Sequence, residues 1–96
     1  MLYLIPSIAK KRLEKAFLAD MKRLAQGNPL DYHDLILNQF FASRAHVNYK
    51  QAYDFLEKMC QKWGGKNIGP PEQGIEDYAF DFTKVTDKIV TAYTEK

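Results

Sequence analysis

Two apolar patterns with helical spacing lie in the middle of the chain, separated by the three residues His46-Val47-Asn48. The pattern after this break recurs every three or four residues, as on one face of a helix, and consists of Ala52, Phe55, Leu56, Met59 and Trp63. Asn48 with Gln51 three positions later is a variant of the capping box, which predicts that the second helix begins directly after Asn48. A break this short predicts a tight turn that packs the two helices against each other at a steep angle.

The residues around the break have the sizes that a helix-turn-helix requires. Ala42 is the small residue expected where the helices touch, with Phe41 and Ala45 facing the core beside it. Val47 is expected to fill the turn. His46 takes the turn position where a left-handed residue, commonly glycine, is expected, and histidine is among the non-glycine residues enriched in that conformation.

Helical patterns also precede the break. The first helix is predicted to start at a Ser7 cap after Pro6 and to stop at Gly27-Asn28-Pro29, and its stripe is Leu13, Phe17, Met21 and Leu24. The next helix is predicted to be capped by Asp31 or Asp34, with Leu35, Leu37, Phe40, Phe41 and Ala45 buried. The chain up to Trp63 is thus expected to form three helices.

The chain after the third helix changes character. Residues 64–75 are rich in glycine and proline, which predicts turns. Alternation of Tyr78, Phe80 and Phe82 with Ala79 and Asp81 then predicts a short strand. Thr83 is expected to cap a last helix over 83–96, with Val85, Ile89, Val90 and Tyr93 on one side.

The segments 42–59 and 78–90 resemble small archaeal winged-helix DNA-binding proteins. The stretch from Lys66 to Asp77 is longer and richer in proline than a tight wing. The resemblance implies a mainly α fold: a winged helix-turn-helix with three N-terminal helices, a short β wing and a C-terminal helix. One domain is expected over 1–96, with an N-terminal arm at 1–8, a wing region at 64–82 and a C-terminal helix at 83–96.

In such a fold the helix at 49–63 would present its amino end to the major groove of duplex DNA, which implies a transcriptional regulator. The predicted DNA-binding residues lie at this end, at the turn and beside the wing: Arg44, Asn48, Tyr49, Lys50, Gln51, Tyr53, Lys62 and Lys66. Asp54 and Glu57 would face the same groove and repel phosphate unless they contact cytosine. The alternative is a winged-helix module that binds another protein through this helix without binding DNA.

Charge is unevenly distributed along the chain. Residues 1–27 hold six basic and two acidic side chains, whereas residues 67–96 hold three basic and six acidic ones. The whole chain carries a net charge of +2. Such asymmetry can steer a polyanion to one side of the protein, although lysine-rich helices are more often simply solvated.

Composition narrows the remaining function classes. The single cysteine excludes an internal disulfide and zinc sites built on cysteine pairs, which suits the cytoplasm, and the chain has neither a glycine-rich phosphate loop nor a long apolar run. We therefore expect no enzyme activity, cofactor, metal, small-molecule substrate, secretory signal or membrane span. The apolar arm 1–8 and the last helix, through Ile89, Val90 and Tyr93, suggest a homodimer, unless both simply complete the monomer core.

Overall fold

The first helix shows how closely the apolar spacing controls the fold. A computed structural model describes residues 6–27, 35–69 and 79–94. Helix α1 spans Pro6–Ala25, and the predicted stripe is confirmed because Leu13, Phe17 and Met21 are buried. Pro6 can occupy the first turn because an amide there needs no partner within the helix. Ser7 therefore lies inside α1 rather than capping it, and residues 6–8 of the predicted arm are helical.

The segment predicted as the start of the second helix is a strand. Strand β1 spans Leu35–Leu37, and helix α2 spans only Asn38–Ala45, so the prediction of a helix through Leu35 and Leu37 was wrong. The predicted caps Asp31 and Asp34 lie outside the described residues. A run of three apolar residues fits either a strand or a helix, and here pairing with a distant strand decides the outcome.

Helix α3 spans Tyr49–Trp63 and is followed by strands β2 (Lys66–Asn67) and β3 (Ala79–Asp81). The three strands form an antiparallel sheet in the order β1-β3-β2. Phe80 in β3 lies opposite Ile36 on one side and Asn67 on the other. The predicted strand is confirmed over 79–81, whereas Tyr78 and the loop from residue 70 lie outside the described residues.

Helix α4 spans Thr86–Thr94 and starts three residues later than predicted. Thr83 does not cap it; Thr83 lies in the turn before α4, where its amide and hydroxyl both donate to Asp81 Oδ1, at 2.9 and 2.7 Å. Asp81 thereby holds a local turn that separates β3 from α4. Instead, the Thr86 hydroxyl donates to the carbonyl of Phe82 at 2.7 Å within the first turn of α4.

An aromatic cluster centred on Phe17 joins the elements. The Phe17 ring meets Phe41, Phe55 and Phe82 edge to face, with centroids 6.4, 5.5 and 5.1 Å away. Ile89 of α4 is fully buried in the same core, with Val90 and Tyr93 packed against it. The chain is therefore mainly helical with a small antiparallel sheet.

The predictions about a dimer surface and a membrane span can be compared with this packing. Ile89 is buried in the core of its own chain, whereas Val90 and Tyr93 are partly buried against it, so the homodimer suggested from these residues stays a prediction. Of the described helices, none has both the length and the apolar character that crossing a lipid bilayer requires.

Candidate nucleic-acid interface

The turn between α2 and α3 has the geometry that the sequence predicts. His46 adopts a left-handed conformation with φ of 57°, which confirms the prediction for this position. The Val47 amide donates to the carbonyl of Ala42 at 3.1 Å, and both side chains are fully buried. The bend is therefore fixed by a backbone conformation, a hydrogen bond and an apolar plug.

The amino end of α3 is closed by the predicted capping box. The Gln51 amide donates to Asn48 Oδ1 at 2.8 Å, and the Asn48 amide donates to Gln51 Oε1 at 3.4 Å. Gln51 is only 7% exposed, so its side chain serves the cap and is withdrawn from the surface on which base contact was predicted. Asn48 is half-buried in the same arrangement. These two residues set the direction of α3, whereas Tyr49 and Lys50 beside them are exposed.

The outward face of α3 carries charges of both signs. Lys50 Nζ lies 3.2 Å from Asp54 Oδ1, one turn away, with both side chains more than half exposed. The Tyr53 hydroxyl donates to Glu57 at 3.4 Å, while its ring packs 5.7 Å from that of Phe80 in β3. Asp54 is thus paired with Lys50, weakly at such exposure, whereas Glu57 accepts from a neutral hydroxyl and keeps its negative charge on this face, so the expected repulsion of phosphate by these carboxylates stays a prediction.

Arg44 is held by a residue that the sequence did not single out. Its Nη2 and Nε atoms donate to Asp20 Oδ2 of α1, at 2.8 and 3.2 Å. Asp20 is only 2% exposed, whereas the Arg44 side chain is 28% exposed. This pair fastens α2 to α1, and it leaves the outer side of the guanidinium at the surface.

The remaining two predicted contacts lie apart from the amino end of α3. Lys62 Nζ lies 5.3 Å from the centroid of the Trp63 ring, and the side chain lines an open groove of about 490 Å³ between α1, α3 and α4. Lys66 begins β2 and is exposed. Asn48, Tyr49, Lys50 and Tyr53 therefore lie at or within one turn of the amino end of α3, while Lys62 lies near its carboxyl end, beside α1.

A concave surface beside the turn was missed in the sequence. We call it the α1–turn cavity; it has a volume of about 690 Å³ and is lined by Arg12, Lys15, Ala16, Ala19, Asp20, Arg23, Arg44, Ala45 and His46. Arg12 Nη1 donates to the carbonyl of His46 at 3.1 Å across its rim. The basic run in residues 1–27 was visible in the sequence, but its approach to the turn depends on how α1 packs against α2.

The single cysteine of the chain lies on α3 and is half-buried. Burial, followed by the nearby carboxylates of Glu57 and Asp81, raises the pKa of the Cys60 thiol from 9.0 to about 11. A thiol with such a pKa is protonated at neutral pH and is a poor nucleophile. Over the described ranges, no three histidine, cysteine or carboxylate side chains are grouped as a metal site would need. No protein-family model, curated protein or solved structure matches the chain.

Proposed function

We propose that the chain is a winged-helix protein that binds duplex DNA and regulates transcription, with the amino end of α3 entering the major groove. The observation that carries this proposal is the fixed bend at His46, which holds α2 against α3 and leaves Tyr49 and Lys50 exposed beside the α3 cap. A recognition helix needs such a rigid mount because base contacts require its amino end to be held at one angle.

The order of elements supports the same proposal. The described helices and strands follow one another as helix, strand, helix, helix, strand, strand and helix, and the last strand pairs between the other two. In the proposed winged helix, β2 and β3, which follow α3 in the chain, form the wing that contacts the backbone beside the major groove. In this proposal the contact is made by Lys66, which is exposed at the start of β2.

The proposed contacts divide by role. Lys50 and Lys66 contact phosphate or guanine, and the hydroxyls of Tyr49 and Tyr53 contact phosphate. Asn48 and Gln51 position the helix through the cap rather than reading bases. Phosphate contact by Lys50 competes with its pairing to Asp54.

That competition gives a test with two opposite outcomes. Binding of a random duplex is measured by fluorescence anisotropy across a salt series for the unsubstituted chain, Lys50→Ala and Asp54→Ala. Lys50→Ala is expected to weaken binding and to lower the salt slope by about 0.9, which corresponds to one phosphate contact. Asp54→Ala is expected to strengthen binding, because it removes a negative charge and frees Lys50.

The result that would overturn the proposal is the absence of salt-dependent duplex binding by the unsubstituted chain at low salt. A stable co-purifying protein whose binding is lost on Glu57→Ala would then favour the protein-binding module, since Asp54 and Glu57 are both exposed on α3. The proposal also includes a homodimer in the cytoplasm, which would present two α3 helices to DNA half-sites. Sedimentation equilibrium of the unsubstituted chain tests the dimer.

A further inference from the structure

The basic residues of the α1–turn cavity form one stripe on α1. Arg12, Lys15, Ala19 and Arg23 follow one another at intervals of three or four residues, so they share one face of the helix. His46 closes the opposite side from the turn. Cations from about three turns of a helix are thus gathered along one side of a concave surface.

The charge inside the cavity is strongly unbalanced. Asp20 is the acidic side chain of the lining, and it is buried and bound twice by Arg44. Its negative charge is therefore compensated within the pair. Arg12, Lys15 and Arg23 then give the surface an excess of positive charge.

The shape of the cavity suits an anion with several oxygens. Ala16, Ala19 and Ala45 line it with methyl groups, which leave room for a ligand between the long basic side chains. Arg12 donates one hydrogen bond from Nη1 to the His46 carbonyl, and its other guanidinium donors lie on an exposed side chain. Arginine is suited to phosphate because its donors match two phosphate oxygens at once.

We propose that the α1–turn cavity binds backbone phosphates of the duplex that α3 contacts. This inference rests on the proposed function, and it extends the contact surface from α3 across the turn to α1. The chain itself connects the two surfaces, because His46 lines the cavity and Asn48, two residues later, caps α3. These contacts would not discriminate between sequences, since phosphates carry no base information.

The test compares two double variants of equal charge. Lys15→Ala/Arg23→Ala removes two cations of the cavity, whereas Lys11→Ala/Lys22→Ala removes two exposed cations of the same helix that do not line it. Alanine has the highest helix propensity, so both variants are expected to retain α1, as far-ultraviolet circular dichroism would verify. Duplex binding is measured for both variants between 50 and 200 mM salt.

The cavity variant is expected to lower the slope of log affinity against log salt concentration by about 1.8. Between 50 and 200 mM salt its affinity would then fall by a factor about twelvefold smaller than that of the unsubstituted chain. The control variant is expected to change the slope by less than half as much. Equal slopes for the two variants would overturn the cavity assignment while leaving the contact by α3 intact. Loss of duplex binding in the unsubstituted chain would overturn both proposals.

A second measurement separates the nucleic-acid backbone from a small anion. Amide chemical shifts of Ala16, Ala19 and His46 are followed during titration with duplex and, separately, with inorganic pyrophosphate. The proposal is supported if the amide shifts of these residues change at a lower concentration of duplex than of pyrophosphate. Shifts with pyrophosphate alone would show a site for small anions and would overturn it.

Discussion

Replacement of His46 by glycine is expected to stabilise the protein. The φ of 57° places a side-chain-bearing residue in the left-handed region, at a cost of roughly 1–2 kcal/mol. Glycine removes this cost. It also increases the entropy of the unfolded chain, which destabilises the folded state by roughly 0.4–1 kcal/mol. Because the His46 side chain is exposed and the bond from Arg12 goes to its backbone carbonyl, little else is lost. The net gain is about 0.5–1 kcal/mol.

Thermal unfolding followed by circular dichroism would measure this gain as a rise in Tm of about 2–8 °C for a domain of this size. His46→Val provides the matched control, because a β-branched residue is strongly disfavoured at positive φ and should lower Tm. A glycine variant that is less stable than the unsubstituted chain, with a valine variant of unchanged Tm, would refute the left-handed turn.

Three further predictions concern packing and protonation. Gly65→Ala should lower the free energy of unfolding by about 1–3 kcal/mol, because the added Cβ would lie 2.8 Å from the buried Phe82 ring. An unchanged midpoint of urea unfolding would contradict this. Arg44→Met should lower the free energy of unfolding by about 3 kcal/mol, because the buried Asp20 carboxylate loses this partner. The double variant Arg44→Met/Asp20→Ala should regain most of that stability. An Arg44→Met variant as stable as the unsubstituted chain would argue against a contribution from the pair. Native Cys60 should resist thiol reagents at pH 8, because its raised pKa keeps it protonated. Rapid labelling of native Cys60 at pH 8 would disprove the raised pKa. The same shift should make the free energy of unfolding fall as pH rises from 9.0 towards 11, because the unfolded chain loses the thiol proton at lower pH than the folded chain.

The features of the turn and cap could be predicted from the sequence because they depend on neighbouring residues. Asn48 and Gln51 are three positions apart, and the box they form needs only the first turn of α3. The left-handed His46 follows from the size of the residues around it and the shortness of the connection. Each of these predictions is confirmed by the structure.

Strand β1 and the start of α4 could not be predicted in this way because they depend on distant partners or competing caps. Leu35 pairs with Asp81, which lies 46 positions later, and nothing local distinguishes a strand from a helix in Leu35–Leu37. Thr83 has the chemistry of a cap, but it forms a turn with Asp81 instead, and α4 begins only at Thr86. At β1 local propensity is overridden by a contact that only the folded chain provides, whereas at Thr83 one local motif forms in place of another.

In the candidate interface, too, some features could be predicted from the sequence and others depend on the folded chain. Residue type correctly indicates that Lys50 is exposed near the amino end of α3. It does not show that Gln51 is withdrawn into the cap or that Arg44 is fastened to Asp20. The gathering of Arg12, Lys15 and Arg23 around the turn also requires α1 to be placed against α2, which periodicity alone does not give.

The most direct test of the account is amide chemical-shift mapping of the chain during titration with a random DNA duplex at low salt. We expect the largest changes at the amino end of α3, over residues 48–54, with a further change at Lys66, and we expect all of them to disappear as salt is raised. Changes confined to α4 and the far end of α1, or no change at any duplex concentration, would contradict the proposal that α3 contacts DNA.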